Sequence, residues 1–332
     1  MNITAYRPTT ELPAYGNPFL RHEVPDDLEE SPGAGIRVNG DTESSANEND
    51  LIEVQLDVAP FPIPSGLTYI LKRNNSNIRV WDSQTMGSAL LDSGTEATIT
   101  TSSSPMSVWV ENPSGGSADL ELIARSGTTD VCSDKIHFYP CSSVVVLFEG
   151  EFGAPSDPPG SGISTLALAA YTNGYDVHVY AEPDLFETPN TEEAAFAEID
   201  SAVENRGVTA VAIIGYSHGG GSTYNVSVRL DADATAFNLA FTAYIDAISQ
   251  PLANITAENR RPVGSTFHVN YHQVAQMNDA PLFLDGAPST PAGAGFEDNV
   301  DDPTITESHT TIDDAPVVQD GIRTRLFQQV NR

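Results

Sequence analysis

The stretch from Val208 to Leu230, VTAVAIIGYSHGGGSTYNVSVRL, constrains the fold of this chain more than any other segment. An apolar run rich in β-branched residues ends at Gly215, and small residues follow Gly219. This pattern predicts a buried strand, a sharp turn at Ser217 and then a helix. The glycines two residues before and after the serine let strand and helix approach closely, because side chains there would collide.

The chain before this stretch divides by composition into two parts. Residues 1–34 are rich in proline and acidic residues and lack periodicity, which predicts an extended or poorly ordered lead-in. Residues 35–140 hold short alternating runs such as 52–58, separated by turn clusters, and they predict an immunoglobulin-like β-sandwich. We interpret Trp81 and Trp109 as core residues of this sandwich, with a ligand platform as the alternative.

Residues 141–332 have a different hydrophobic pattern, in which apolar runs alternate with segments of helical periodicity. Val144 to Phe148 is continuously apolar, Thr191 precedes a helical pattern that stops at Gly207, and a last helix begins near Pro316. The alternation predicts a mostly parallel sheet with helices on both faces. Sites in such sheets lie at the carboxyl ends of the strands, and Ser217 falls at one of them.

The charge of the chain is strongly acidic. Among 332 residues, 46 are Asp or Glu and 15 are Lys or Arg, which gives a formal charge of −31 at pH 7. Such a surface repels phosphates, so we predict no binding to nucleic acid or to anionic membranes. Only Lys72 and Lys135 are lysines, and we hypothesise that this acidic, lysine-poor surface suits a saline habitat.

The sequence gives few signals about compartment. No apolar run approaches about 20 residues, and the first residues lack a basic segment followed by an apolar one. We therefore predict neither a transmembrane segment nor a secretory signal. Cys132 and Cys141 are compatible with a small disulfide loop or with two reduced thiols, so compartment and oligomeric state stay open.

A serine on such a turn becomes a reactive nucleophile only with two partner side chains. A hydroxyl is a weak nucleophile near neutral pH and needs a base within hydrogen-bond reach. An imidazole titrates in the useful range, and a buried carboxylate orients it. Among seven histidines, His309 is the best candidate because it lies late, before the final helix, whereas His218 is too close to Ser217. His268 and His272 are the alternatives.

Residues 142–332 resemble the lipase and esterase branch of the α/β-hydrolase superfamily. The resemblance rests on Gly215-Tyr216-Ser217-His218-Gly219, on Asp246 in YIDAI and on His309 in SHTTID, in the order serine, acid, histidine. It implies an α/β-hydrolase fold after the sandwich, with Ser217 as nucleophile, His309 as general base and Asp246 as the acid that orients it.

The acid departs from the pattern of the relatives. Asp246 follows the strand directly after the nucleophile helix, as in pancreatic-type lipases, but Ala247 stands where those commonly have proline. Asp279, Asp285 and Asp302 are the alternative acids.

An oxyanion hole needs two donors aimed at the developing charge. We expect one from the backbone N–H of His218. The second should come from the glycine-containing loop after Phe148, at Glu151 or Phe152.

The leading prediction is a serine hydrolase that cleaves a neutral carboxylic ester, of a lipid or a polymer, through an acyl-enzyme and without cofactor or metal. A thioesterase or an acyltransferase would use the same residues. The alternative is a non-catalytic surface or adhesive protein with a degenerate hydrolase half. Asp298, Asp301 and Asp302 are interpreted as a solvated acidic loop rather than a Ca²⁺ site.

Overall fold

The chain divides into two compact units, one formed mainly by residues before Ser142 and the other mainly by residues from Ser142 onward. The computed structural model describes residues 1–7, 22–23, 36–38, 52–83, 87–111, 117–140, 142–151, 161–173, 175–182, 191–233, 237–249, 256–273 and 286–331. Most of the predicted lead-in lies outside these ranges.

The first unit consists of strands in its described parts. They are β1 (Asn2–Arg7), β2 (His22–Glu23), β3 (Ile36–Val38), β4 (Ile52–Asp57), β5 (Leu67–Arg73), β6 (Arg79–Trp81), β7 (Ala89–Leu91), β8 (Glu96–Ile99), β9 (Met106–Glu111), β10 (Ala118–Ser126) and β11 (Thr129–Pro140).

These strands form two sheets, with orders β2-β1-β4-β9-β6-β7 and β3-β11-β10-β5-β8. Neighbouring strands run antiparallel except for the β3–β11 pair, which is parallel. Alternate residues such as Val54 and Leu56 of β4 and Tyr69 and Leu71 of β5 point into one shared hydrophobic core.

The interpretation of the two tryptophans as core residues is wrong. Trp81 and Trp109 are half-buried and face each other across β6 and β9. Their strand neighbours Val80, Val108 and Val110 are fully buried in the core. Because successive side chains of a strand point to opposite faces, the tryptophans lie on the face of the sheet away from the core.

The second unit alternates strands and helices. Its elements are β12 (Ser143–Glu151), α1 (Gly162–Thr172), β13 (Asp176–Glu182), α2 (Thr191–Arg206), β14 (Ala210–Tyr216), α3 (His218–Ala232), β15 (Asn238–Ile245), β16 (Ile248–Ser249), β17 (Thr256–Ala257), β18 (Phe267–Tyr271), β19 (Phe296–Asp298), a short 3-10 helix (Ile312–Asp314) and α4 (Pro316–Gln329).

Six of these strands form one parallel sheet, in the order β13-β12-β14-β15-β18-β19. The apolar run of β12, Val144 to Phe148, is fully buried, as expected of a strand covered on both sides. Strands β14 and β15 lie at the middle of the sheet, and Ser217 and Asp246 directly follow their carboxyl ends. This placement brings residues that are distant in sequence to one edge.

The predicted fold class is wrong. We expected a mostly parallel α/β-hydrolase sheet with helices on both faces, preceded by an all-β immunoglobulin-like sandwich. Three of the four sheets in the described parts are antiparallel or mainly so, including the β16–β17 pair, and one is parallel. Only four α-helices are found there, too few for a helix-rich α/β-hydrolase. A strand–turn–helix motif fixes local geometry, and it does not fix the fold around it.

Two further observations concern the predicted compartment signals. No helix within the described ranges has the length and apolar character needed to cross a membrane. Cys132 is an exposed, free cysteine, and Cys141 lies outside the described residues.

Candidate active site

Ser217 occupies a strained turn between β14 and α3. Its backbone angles are φ 54° and ψ −125°, a region that non-glycine residues rarely adopt. Three backbone hydrogen bonds hold it there. Its N–H donates to the carbonyl of Ile245 over 3.0 Å, and its carbonyl accepts from the N–H groups of Gly220 and Ile248 at 3.0 and 2.9 Å. The turn is therefore fixed by both neighbouring segments.

Glycine is required on both sides of this turn because the backbones are in contact. A Cβ added at Gly215 would lie 2.1 Å from the carbonyl oxygen of Gly219. A Cβ at Gly219 would lie 2.6 Å from the carbonyl oxygens of Phe148 and Glu149. The start of α3 thus packs directly on β14 and on the end of β12, which positions Ser217.

The structure brings Ser217, His309 and Asp246 into one hydrogen-bonded chain. Ser217 Oγ lies 2.8 Å from His309 Nε2, and His309 Nδ1 lies 2.7 Å from Asp246 Oδ2. With its proton on Nδ1, the imidazole donates to the carboxylate and accepts from the hydroxyl. This arrangement can move a proton from the serine to the imidazole.

The three side chains are buried. Their exposed fractions are 4% for Ser217, 5% for His309 and 0% for Asp246. Burial keeps the hydrogen bonds of the triad away from bulk water and strengthens them.

Hydrogen bonds fix both the backbone and the carboxylate of Asp246. Its φ is 44°, and its N–H donates to the carbonyl of Tyr271 over 2.6 Å. Its Oδ1 accepts from the backbone N–H groups of Gly286 and Gln273 at 2.9 and 3.3 Å, and its Oδ2 accepts from Gln273 Nε2 at 2.9 Å. Together with His309, these donors compensate the buried charge.

Sequence reasoning missed Gln273 and Gly286. Gln273 follows the carboxyl end of β18, the neighbour of β15, and this position was the available signal. Asn299 supports the same segment, since its side chain exchanges hydrogen bonds of 2.9 and 2.7 Å with the backbone of His272.

Tyr216, the residue before the serine, holds the backbone of the base. Its hydroxyl donates to the carbonyl oxygen of His309 over 2.5 Å, and the two rings lie 5.6 Å apart. Burial, reinforced by nearby carboxylates, raises the pKa of Tyr216 above its usual range, so the hydroxyl keeps its proton. The tyrosine therefore connects the turn at Ser217 to the loop that carries His309.

Two more buried carboxyl groups lie close to the triad. Burial raises the pKa of Glu149, which accepts hydrogen bonds from Ser161 and Ser164 at 2.7 and 2.9 Å. Burial also raises the pKa of Asp313 to about 6, against the opposing effect of the Gly162 N–H that it accepts over 2.9 Å. A pKa of about 6 leaves Asp313 mostly ionised at pH 7, so this carboxylate places negative charge near His309.

The other histidines occupy different environments. Burial, and then repulsion from His309, lowers the pKa of His218 to about 4. Burial lowers that of His268 to about 3, and its Nδ1 lies 2.9 Å from the Thr242 hydroxyl. The Nε2 of His272 lies 3.3 Å from Asp298. The imidazole beside Ser217 is that of His309.

The alternative acids and the predicted oxyanion donors are placed as follows. Asp302 accepts from Thr304 at the surface, and Asp279 and Asp285 lie outside the described residues. His218 is the first residue of α3, Glu151 is the last residue of β12, and Phe152 lies outside the described residues. The second oxyanion donor stays a prediction.

Comparisons with known proteins give no family. No protein-family model matches the sequence, and no curated protein matches it. Among solved structures, a 2,6-sialyltransferase from Photobacterium sp. JT-ISH-224 is similar to 58% of this chain at 7% identity, with a TM-score of 0.32. A proposed lipase from Sulfolobus solfataricus is similar to 61% of the chain at 11% identity, with a TM-score of 0.22.

A glycosylation-associated protein complex from Streptococcus agalactiae is similar to 76% of this chain and 80% of its own, at 11% identity and a TM-score of 0.19. The matches to the sialyltransferase and the proposed lipase span only 39% and 53% of those chains. All three TM-scores are below 0.5, so these likenesses carry no argument about fold or activity.

Proposed function

We propose that this chain is a serine hydrolase that cleaves carboxylic esters. One observation carries the proposal: a continuous hydrogen-bonded chain joins Ser217, His309 and Asp246 on a strained turn. A base within hydrogen-bond reach of the hydroxyl and a carboxylate that orients this base are what activates a serine for nucleophilic attack.

In the proposed reaction, Ser217 Oγ attacks the ester carbonyl carbon while its proton passes to His309 Nε2. The tetrahedral intermediate collapses when His309 gives that proton to the leaving alcohol oxygen and the carbon–oxygen bond breaks. Water then attacks the acyl-enzyme by the same route, which releases the acid and restores the serine. Throughout, Asp246 accepts from Nδ1–H and stabilises the imidazolium.

The charge around the site favours a neutral ester. Tyr216 is the residue next to the nucleophile. Its pKa is raised by burial and then by four nearby carboxyl groups, those of Asp313, Asp246, Asp314 and Glu149. An anionic acyl or alcohol group would be repelled by these charges in a site of low dielectric. Neutral lipid esters and neutral acyl groups on polymers belong to the accepted class.

The proposal is tested with a panel of p-nitrophenyl esters of increasing acyl length. The wild type should release p-nitrophenol, and Ser217→Ala and His309→Asn should each lower kcat by at least about 1,000-fold. Ser103→Ala, which changes an exposed serine of the first unit, is the matched control and should leave kcat unchanged. Equal turnover by the wild type and Ser217→Ala would contradict the proposal.

A further inference from the structure

Away from the triad, Asp176, His178 and Glu198 direct their side chains to a single point. His178 Nε2 lies 2.7 Å from Asp176 Oδ1 and 3.3 Å from Glu198 Oε1. The three possible ligand atoms all lie within 4.8 Å of one another. One imidazole nitrogen and two carboxylate oxygens therefore surround a common position.

The three residues come from two different elements of the fold. Asp176 and His178 are alternate residues of β13, so their side chains lie on the same face of that strand. Glu198 comes from the middle of α2, 20 positions after His178, and it reaches the same face. The cluster thus joins a helix to the edge strand of the parallel sheet.

The cluster is separate from the proposed active site. Asp176 and His178 pair in register with Val144 and Val146, in the first half of β12. Gly215, which leads into the Ser217 turn, pairs with Phe148 near the other end of that strand. A group bound at the cluster would therefore have a structural role, and it would not contact the reacting atoms.

Burial makes the charges of this cluster costly. The exposed fractions of the side chains are 0% for Asp176, 4% for His178 and 21% for Glu198. Two carboxylates held this close repel each other strongly in a low-dielectric interior. An imidazolium would supply one positive charge through a single N–H at Nε2, whereas a divalent cation supplies two charges and bonds all three ligand atoms.

We propose that Asp176, His178 and Glu198 bind a divalent transition-metal ion of the Zn²⁺ type, which ties α2 to β13. Zn²⁺ accepts imidazole nitrogen at about 2.0–2.1 Å and carboxylate oxygen at about 2.0–2.2 Å. Ligand atoms around such an ion lie about 3.4 Å apart in tetrahedral geometry, close to the 2.7 and 3.3 Å found here. The nitrogen ligand favours Zn²⁺ over Ca²⁺ or Mg²⁺, which prefer oxygen.

The sequence did not predict a metal because its usual signal is absent. Two residues of β13 give only a short Asp-x-His pattern, and the third ligand is 20 positions from His178. Only the packing of α2 places Glu198 beside them.

The test measures Zn²⁺ directly on the full chain. The protein is stripped with a chelator, dialysed into buffer with excess Mg²⁺ to occupy surface carboxylates, and titrated with Zn²⁺ by calorimetry. One Zn²⁺ per chain should bind and raise the Tm, and Co²⁺ in its place should give the visible absorption of a low-symmetry site. His178→Ala should weaken binding by at least about tenfold.

Two variants keep the test decisive. Glu198→Gln preserves size and should fold like the wild type by circular dichroism, yet it should also bind Zn²⁺ at least about tenfold more weakly. His137→Ala removes another histidine paired with a carboxylate, Asp119 of the first unit, and should bind like the wild type. Absence of stoichiometric Zn²⁺ binding by the wild type would overturn the proposal. So would Zn²⁺ binding by His178→Ala and by Glu198→Gln that is as tight as binding by the wild type.

Discussion

At the scale of residues, backbone strain marks the candidate site. Among the described non-glycine residues, Ser217, Asp246 and Asn299 have positive φ. The first two belong to the triad, and the third supports the segment that holds Asp246. Such conformations cost about 1–3 kcal/mol each and persist only where surrounding contacts enforce them. The hydrogen bonds around Ser217 and Asp246 supply that enforcement.

The side chain of Gln273 should matter for catalysis without touching the substrate. Gln273→Leu removes the Nε2 donor to Asp246 and keeps side-chain size. Hydrogen bonds to charged groups contribute about 1.5–3 kcal/mol, so kcat should fall about tenfold or more while KM stays nearly constant. Steady-state kinetics on a p-nitrophenyl ester measures both constants. Gln328→Leu, at an exposed glutamine of α4, is the control, and an unchanged kcat in Gln273→Leu would refute this role.

Sequence order was sufficient to name Ser217, Asp246 and His309 as candidates, since each follows a recognisable strand or precedes the last helix. Their supporting contacts could not be predicted in the same way. Tyr216 meets the carbonyl of His309 across 93 positions, and Asp246 meets Gln273 across 27. Such pairs depend on which strands become neighbours, and no local pattern encodes that.

At the scale of elements, local sequence patterns predicted where helices begin and end better than they predicted which strands pair with each other. The helix expected from Thr191 to the residue before Gly207 spans Thr191–Arg206, and the last helix begins at Pro316 as predicted. Apolar alternation does not predict β11, because Ile136 and Phe138 are the buried apolar residues among those of its side chains that the structure describes. The strands β16 and β17 are two residues long each, too short for any alternation to predict.

The contact between β14 and α3 predicts a large effect of one methyl group. In Gly215→Ala, the new Cβ would lie 2.1 Å from the carbonyl oxygen of Gly219, so backbone must shift. The free energy of unfolding should fall by about 3 kcal/mol or more, at the upper end for overpacking. Urea denaturation measures the change. Gly94→Ala, where the nearest atom is 3.7 Å away, should change stability by less than about 1 kcal/mol, and equal effects would argue against this packing.

The 3-10 helix that follows His309 predicts a pH dependence of stability. The folded-state pKa of Asp313 is raised from 3.8 to about 6, so the folded state binds more protons than the unfolded state between these values. Stability contributed by protonated Asp313 is therefore present below about pH 4 and lost as the pH rises through about 6. Asp313→Asn removes this loss while its side-chain oxygen can still accept from Gly162 N–H.

The expected result is that Asp313→Asn is more stable than the wild type at about pH 8, by roughly 2–3 kcal/mol, and that the difference shrinks toward about pH 4. Urea denaturation across this range measures it. Asp320→Asn, at an exposed position of α4, is the control. A constant difference across the range would show that Asp313 does not titrate as described.

At the scale of the whole molecule, the sequence indicated a change of rhythm near residue 141 and failed on the fold class. The patterns that predicted the β-sandwich and the parallel sheet each came from short stretches of sequence. Which strands form a sheet depends on pairing between stretches that are distant in sequence. Strand β1, inside the predicted lead-in, pairs with β4 from Asn2 opposite Asp57. The turn at Ser217 lies in the second unit, and antiparallel pairing builds most of the sheet structure of the first unit.

The net charge predicts a response to salt. Mutual repulsion among the excess carboxylates destabilises the compact state, and salt shortens its range from about 10 Å at 0.1 M to about 3 Å at 1 M. The Tm at neutral pH should therefore rise as KCl increases to about 2 M. The same titration near the isoelectric point of about 4.2 should give a smaller rise, because repulsion is already reduced there. A Tm that does not rise with salt would contradict the expectation.

The most direct test of the central claim is covalent. The folded wild type is treated with a small fluorophosphonate, and intact-mass and peptide analysis locate the adduct. We expect one adduct per chain on the Ser217 hydroxyl. The adduct should be lost in Ser217→Ala and should form much more slowly in His309→Asn. A folded wild type that takes up no adduct, or that carries it on another residue, would contradict the claim that Ser217 is an activated nucleophile.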